Sequence, residues 1–218
     1  MREITIIRHG QANVGALNEA DYDRLSDLGH QQAAWSGEYF EQSSKTELIL
    51  SGTMRRQRET AEGSNYAMFD HGLDERFNEM PYFDLAHALC EDFGAEFPKT
   101  NTEFPDFIRR ILIHWDEMAQ KRGIESYADF MERVTQALVD ASKAADHVLV
   151  VSSGGVIATL ANAALELPPE LGWRMFAGIA HTSQHRFMVS SDGGLHLMQY
   201  GAVPHLDRPD RRDKITYV

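Results

Sequence analysis

The chain has 218 residues, of which 43% are hydrophobic and 25% are charged, so one domain with a substantial core is expected. Its net charge is −12, and the absence of a basic stripe argues against nucleic acid or an anionic membrane as a partner. The single cysteine, Cys90, cannot form an intramolecular disulfide, and no apolar stretch reaches the length of a membrane span. We therefore predict a soluble, cytoplasmic protein.

The first predicted element is a buried strand that ends in polar residues. Residues 4–7 are apolar and mostly β-branched, and Arg8, His9 and Gly10 follow them directly. Arginine and histidine at the end of a buried strand need a partner, and ligands of open α/β sheets bind beyond the carboxyl ends of strands. The stretch predicts an anion site at Arg8 and His9. The alternative is a solvated strand end followed by a glycine turn.

The next part of the chain predicts two helices separated by a strand. A polar loop leads to a helix that begins at Ser26 or Asp27 and runs to about residue 42. A short strand, 47–51, is followed by a loop and helix over about 52–65. Guanidinium groups and free amides at a helix N-terminus favour a phosphate-like anion, although a solvated basic turn is the alternative. This helix opens with Arg55, Arg56 and Arg58.

The middle of the chain is predicted to be mainly helical. Residues 73–77 are interpreted as a short strand, followed by a turn at Pro81. Residues 86–101 have no clear periodicity. Apolar residues at helical spacing then predict two amphipathic helices, over about 104–118 and 127–141, whose aromatic stripes face the core.

The last part of the chain completes an α/β pattern. The strongest strand, 147–152, runs into an apolar helix that ends near residue 166. Residues 185–190 and 195–200 flank the turn 192–194, which is typical of a β-hairpin. Alternating strands and helices that end in a hairpin predict a three-layer α/β/α sandwich. Its central sheet is expected to be mostly parallel, with an antiparallel edge strand.

Several common catalytic patterns do not match. The chain has neither a Gly-x-Gly-x-x-Gly after a strand nor a phosphate-loop lysine. Ser152 and Ser153 lie at a strand-to-helix turn, but valine stands two residues before each, so the nucleophile-elbow pattern fails. His181 and His185 are four residues apart in a strand-like run, which does not favour a zinc site.

An ordered set of segments resembles the histidine phosphatase superfamily, the phosphoglycerate mutase-like enzymes. Residues 8–10 match the family's Arg-His-Gly opening, and residues 22–33 look like its Asp-x-Leu-Ser/Thr, Leu-Gly and Gln-Ala stretch. Arg56, with Thr-Ala four residues later, resembles the second arginine motif. Residues 79–82 match the acid/base motif Glu-x-x-aromatic, although Phe83 stands where the family usually has glycine. The likeness continues to about Leu206 and preserves the order of the motifs.

One position departs from the family. The second catalytic histidine of the family follows a strand in Ser-His-Gly-Gly, and Ser153 occupies that position here. Ser153 can donate one neutral hydrogen bond to a phosphoryl group, can cap the helix that follows, or can mark a site that binds phosphoesters without turnover. Alternatively, His181 can approach the site from elsewhere and substitute for the missing histidine.

The resemblance implies a mechanism in which His9 is the nucleophile and forms a phosphohistidine. Glu79 would protonate the leaving alkoxide, while Arg8, Arg56 and Ser153 would bind the phosphoryl oxygens, with no metal or cofactor. We therefore predict a phosphomonoester hydrolase that acts on a small phosphorylated metabolite at a reduced rate. A non-catalytic phosphoester-binding protein is the alternative, and a phosphoglycerate mutase is favoured less.

The domain organisation is predicted to be one histidine-phosphatase-like domain over residues 1–218. Within it, residues from about 79 to 123 are expected to form a cap or lid insertion over the pocket. This segment would choose the leaving group, but its mixed composition names no metabolite. The sequence does not indicate the oligomeric state.

Overall fold

A computed structural model of the chain describes residues 2–13, 15–43, 45–64, 71–100, 102–176 and 178–217. The strands in these residues are β1 (Arg2–Arg8), β2 (Leu48–Ser51), β3 (His71–Leu73), β4 (His147–Ser152), β5 (Gln184–Val189) and β6 (Leu195–Ala202). The helices are α1 (Glu19–Tyr22), α2 (Asp27–Ser43), α3 (Arg55–Gly63), α4 (Tyr82–Phe93), α5 (Phe104–Arg122), α6 (Tyr127–Ala144), α7 (Gly154–Ala164) and α8 (Trp173–Phe176).

The strands form one sheet in the order β3-β2-β4-β1-β5-β6. Strands β1 to β4 are mutually parallel, whereas β5 and β6 run antiparallel at one edge. Arg8 lies opposite Ser152 in the register of β1 and β4, so both strands end at the same level of the sheet. The predicted fold class is confirmed: a mixed α/β sheet, mostly parallel with an antiparallel edge, flanked by helices.

The main hydrophobic core lies between the sheet and the helices α4 to α7. The predicted aromatic stripes of α5 and α6 are buried in it, including Phe107, Trp115 and Phe130. A smaller cluster on the other face of the sheet packs Ile7 and neighbouring strand residues against Phe40 of α2. None of the helices in the described part of the chain has the length and hydropathy of a membrane span.

One prediction in the middle of the chain was wrong in detail. The strand predicted over 73–77 is instead β3 at 71–73, followed by a 3₁₀ turn over Glu75–Phe77. The side chain of Asp74 accepts a hydrogen bond from the backbone N–H of Arg76, and this local cap outweighs the strand propensity of the segment. The unclear region from residue 86 onwards begins inside α4. The predicted end of α3 at about residue 65 lies outside the described residues.

The segment over about 79–123 is packed into the protein core. Residues of α4 and α5 belong to the same hydrophobic cluster as β1 and β4. Leu85, Leu89 and Ile111 are fully buried there. A cap or lid role for this segment stays a prediction.

Candidate active site

A cavity of about 320 Å³ lies where β1 and β4 end and α3 and α7 begin. Arg8, Arg56, Glu79 and His181 contribute to its polar wall. The opposite wall is mostly apolar, and it includes Leu17, Tyr82, Phe83, Phe97, Phe104 and Phe176. A larger depression of about 650 Å³ lies on the face of β1, β5 and β6, and none of the predicted site residues lines it. Three of the predicted residues, Arg8, Arg56 and Glu79, therefore line the smaller cavity.

His9 lies beside this cavity, directly after β1, and its side chain is 1% exposed. Its Nδ1 is 2.7 Å from the carbonyl oxygen of Gly10, which can only accept a hydrogen bond. Nδ1 therefore carries the proton, and Nε2 presents its lone pair. Burial, together with repulsion from Arg56 and Arg8, lowers the pKa of His9 well below its ordinary value. His9 is accordingly neutral at pH 7, in the tautomer whose Nε2 can act as a nucleophile.

Arg56 contacts the free nitrogen of His9. Its Nε donates to His9 Nε2 at 3.3 Å, and its Nη1 donates to Glu19 and, at 3.0 Å, to Asp23. The ring of Tyr22 lies under the guanidinium, with 5.0 Å between the Arg56 Cζ and the ring centroid. These contacts raise the pKa of Arg56 although its burial acts in the opposite direction. A fixed cation thus lies beside the Nε2 atom of His9.

Asp23 explains how the start of α3 is held at the site. Met54 is the N-cap residue of this helix and provides no side-chain hydrogen bond. Instead, the carboxylate of Asp23 accepts the backbone N–H groups of Arg55 and Arg56, at 2.9 and 3.0 Å. A loop residue outside the helix therefore satisfies its free amides and also pairs with the Arg56 guanidinium.

Arg8 lies on the cavity wall next to Tyr217. Its Nη1 donates to the carbonyl oxygen of Ile179 at 2.7 Å and also to that of Tyr217. Burial lowers the pKa of Arg8, although an arginine this basic remains charged. Its Nε is buried and has no hydrogen-bond partner among the described residues. Arg8 therefore places a charged guanidinium on the wall of the cavity.

Glu79 lies on the cavity wall against the N-terminus of α7. Its Oε2 accepts the backbone N–H of Gly155 at 3.1 Å, and its Oε1 accepts that of Met80 at 3.0 Å. Burial raises the pKa of Glu79, while these amides and the two nearby arginines limit the rise. A Cβ atom on Gly155 would lie 2.1 Å from Glu79 Oε1, so only glycine allows this approach. The environment keeps a proton on Glu79 to a higher pH than on an exposed glutamate.

Ser153 is placed differently from the other predicted residues. It is fully buried at the N-cap position of α7, but its hydroxyl makes no capping hydrogen bond. The hydroxyl instead accepts a hydrogen bond from Gln57 Nε2 at 2.8 Å. Ser153 is not among the residues that line the cavity. A contact between Ser153 and phosphate stays a prediction.

Sequence reasoning missed several polar residues that hold the site. Glu19 and Gln57 belong to none of the motifs, and Asp23 was recognised only as part of the Asp-x-Leu-Ser stretch, because each acts through a contact that only the folded chain creates. Among the described residues, no three His, Cys, Asp or Glu side chains are grouped in a way that would hold a metal ion.

Comparison with known proteins identifies the family of this chain. The model of the histidine phosphatase superfamily (branch 1) matches residues 4–199. YhfR of Bacillus stearothermophilus has 23% identity and a TM-score of 0.67, with 93% of this chain and 98% of that one covered. A mutant phosphoserine phosphatase of Entamoeba histolytica, in complex with phosphoserine, has 19% identity and a TM-score of 0.64, with coverages of 94% and 100%.

A mycobacterial glucosyl-3-phosphoglycerate phosphatase has 23% identity and a TM-score of 0.67, with 93% of this chain and 99% of that one covered. Similarities at these identities show the fold. No curated protein matches the chain. The family model spans most of the sequence, and on that basis the chain belongs to the histidine phosphatase superfamily.

Proposed function

We propose that the protein is a phosphomonoester hydrolase that acts through a phosphohistidine on His9. The observation that supports this most is the state of the His9 ring. Its Nδ1–H is bound to the Gly10 carbonyl and its Nε2 lone pair faces Arg56, next to a cavity that holds Arg8 and Glu79. A neutral, oriented imidazole beside two cations and a buried acid has the parts that phosphoryl transfer requires.

The first step transfers the phosphoryl group from substrate to enzyme. The lone pair of His9 Nε2 forms a bond to phosphorus while the bond from phosphorus to the leaving oxygen breaks. Glu79 gives its proton to that oxygen, so the leaving group departs as an alcohol. Arg8 and Arg56 bind the phosphoryl oxygens and stabilise the charge on them.

The second step reverses these roles. Glu79, now a carboxylate, takes a proton from water, and the water oxygen attacks phosphorus as the bond to His9 breaks. Inorganic phosphate and the starting enzyme are the products. In this proposal two arginine side chains supply the positive charge that a metal provides in other phosphatases.

The apolar wall of the cavity supports a substrate with a partly apolar leaving group. Phe83, Phe97 and Phe104 lie in that wall, and Lys99 is the cationic residue among them. All four come from the segment 79–123, which is consistent with its proposed part in substrate choice. The similar structures include phosphatases of phosphoserine and of glucosyl-3-phosphoglycerate, which supports a small phosphomonoester as the substrate class.

A non-catalytic phosphoester-binding protein is the second candidate. It is favoured by Ser153, whose hydroxyl accepts a hydrogen bond from Gln57 and which does not line the cavity. Loss of one well-placed transition-state donor lowers a rate by about 10²- to 10³-fold. Since enzymes accelerate reactions by about 10⁶-fold or more, this loss alone leaves a phosphatase slow but active.

Turnover separates the two candidates. The purified protein should hydrolyse p-nitrophenyl phosphate in the presence of EDTA, and a rapid-quench sample should contain an acid-labile, base-stable phosphoryl group on His9. His9→Ala should abolish both signals, whereas His196→Ala, at an exposed histidine on β6, should keep them. Binding of inorganic phosphate without any turnover would favour the non-catalytic protein. Undiminished hydrolysis by His9→Ala would refute the mechanism.

A further inference from the structure

A second buried histidine, His181, lies on the wall of the same cavity. It precedes β5, its side chain is 1% exposed, and its ring centroid is 5.8 Å from that of His9. Its Nε2 makes no hydrogen bond to any residue that the structure describes, whereas its Nδ1 is held by Thr216. His181 therefore has one anchored nitrogen and one that is free to meet a ligand.

The backbone beside His181 is held in a strained conformation. Thr182 has a φ of 58°, a left-handed value that is uncommon for any non-glycine residue and an outlier for a β-branched one. Its backbone N–H donates to the carbonyl oxygen of Arg8 at 3.1 Å, and its hydroxyl donates to that of His181 at 2.7 Å. Such conformations cost about 1–3 kcal/mol, and they cluster at functional sites. The hydrogen bond from Thr182 to Arg8 connects the loop of His181 directly to the end of β1.

A chain of hydrogen bonds leads to Nδ1 of His181 and leaves the hydroxyl hydrogen of Thr216 free to bind it. The backbone N–H of Gln11 donates to Gln32 Oε1 at 2.9 Å, which fixes the orientation of that amide. Gln32 Nε2 then donates to Thr216 Oγ1 at 3.0 Å. Because Thr216 Oγ1 accepts this bond, its own hydrogen is available for His181 Nδ1, at 2.9 Å.

The resulting tautomer makes Nε2 a donor. The carbonyl oxygen of Thr216 is farther from His181 Nδ1, at 3.2 Å, and it already accepts the backbone N–H of His181. The hydroxyl is the nearer partner of Nδ1 and can donate to it. With Nδ1 as the acceptor, the neutral ring carries its hydrogen on Nε2, and His181 lies on the wall of the cavity. His9 has the opposite tautomer, with its hydrogen on Nδ1.

We infer that His181 donates its Nε2–H to a phosphoryl oxygen during transfer to His9, and so supplies the hydrogen bond that Ser153 does not. This inference rests on the proposed function and adds a catalytic residue to it. The proton of His181 stays on Nε2 throughout, since Glu79 provides the proton for the leaving group. Arg8 and His9 are the titratable groups that face His181. Burial and the charge of Arg8 lower its pKa, so it acts as a neutral donor.

Thr216 is the corresponding positioning residue. Its hydroxyl orients the ring and selects the donor tautomer, but it does not line the cavity. Without the hydroxyl, Nδ1 would donate to the Thr216 carbonyl, and Nε2 would lose its hydrogen at neutral pH.

The test compares variants of both residues with p-nitrophenyl phosphate as the probe. His181→Ala should lower kcat by about 10²- to 10³-fold with little change in KM, because a transition-state contact is lost. His181→Gln keeps an N–H donor and should recover part of the rate. Thr216→Val should be slow at neutral pH, and its imidazole ¹⁵N spectrum should show the Nδ1–H tautomer for His181. His185→Gln replaces a buried histidine outside the cavity and is the matched control.

A measurement on the wild-type protein does not depend on the folding of any variant. Imidazole ¹⁵N spectra at pH 7.5 should show the Nε2–H tautomer for His181 and the Nδ1–H tautomer for His9. An Nδ1–H signal for His181 would overturn the inference. A wild-type kcat in both His181 variants, with His9→Ala inactive, would also overturn the inference. The proposed function would survive that result. A wild-type protein without turnover or phosphohistidine would instead remove the proposed function and this inference together.

Discussion

Replacing Gly155 by alanine tests Glu79 as the proposed acid without changing the Glu79 side chain itself. The new Cβ would lie 2.1 Å from Glu79 Oε1 and 3.2 Å from Met80 Cγ, and the first of these distances is far inside van der Waals contact. The Glu79 carboxyl must therefore move by about 1 Å, and a displacement of that size can cost about 10²-fold in rate. A factor of 10² corresponds to about 2.7 kcal/mol of transition-state stabilisation.

The loss should depend on the leaving group. An alkyl phosphate such as β-glycerophosphate needs a proton on its leaving oxygen, so kcat/KM for it should fall by about 10²-fold in Gly155→Ala. p-Nitrophenyl phosphate releases a weakly basic phenolate that needs little proton transfer, and its kcat/KM should fall much less. The assay is steady-state phosphate release with both substrates at one pH.

Gly63→Ala provides the control for the added methyl group. Its Cβ would meet only Ala33 Cβ, at 3.4 Å, and it lies at the end of α3 away from the cavity. Both substrates should retain their wild-type rates in this variant. Equal losses for the two substrates in Gly155→Ala, or no loss in either, would refute the assignment of Glu79 as the acid.

Three further outcomes are expected. Burial raises the pKa of Glu79, so kcat/KM should fall as pH rises through that pKa. Glu79→Gln should have a lower kcat/KM that does not decline at alkaline pH, and an unchanged decline would contradict the role of Glu79 as the acid. Asp23→Ala should lower the free energy of unfolding by about 1–2 kcal/mol in urea denaturation, because the cap of α3 is lost, whereas Asp23→Asn should lose less. Burial lowers the pKa of His185 to about 3 and that of His205 to about 4. As pH falls below about 6.5, the two histidines take up protons in the unfolded chain but not in the folded one, so the free energy of unfolding decreases. At pH 5 each should cost about 2 kcal/mol relative to pH 7.5, and His185→Gln should remove its share of this slope.

The parts of the site that sequence could predict are those that follow strands. Arg8 and His9 directly continue an apolar run, and Arg56 opens a helix just after another short strand. Parallel strands bring their carboxyl ends to one edge, so these residues were expected to meet. The cavity at that edge contains Arg8 and Arg56, with His9 beside it. Their chemical roles stay predictions.

The parts that sequence could not predict depend on tertiary contacts or on burial from several sides. Helix α4 gave no clear periodicity because residues on most of its circumference are buried, among them Phe83, Leu85 and Ala88. Asp23 lies in the Asp-x-Leu-Ser stretch, but its role could not be predicted, since the amides that it caps belong to α3. The tautomer of His181 depends on Thr216, which lies 35 residues away. No local pattern carries such information.

The contacts of residues 214–217 bear on when the site is completed during synthesis. The carbonyl of Tyr217 binds Arg8, Thr216 holds His181, and the carbonyl of Lys214 accepts from Gln32. A single domain folds as a unit, so the site is incomplete while residues 214–217 are still inside the ribosome. The cavity reaches its final charge and shape only when residues 214–217 dock against β1 and α2. A nascent chain that lacks them would carry His9 without the contacts that orient Arg8 and His181.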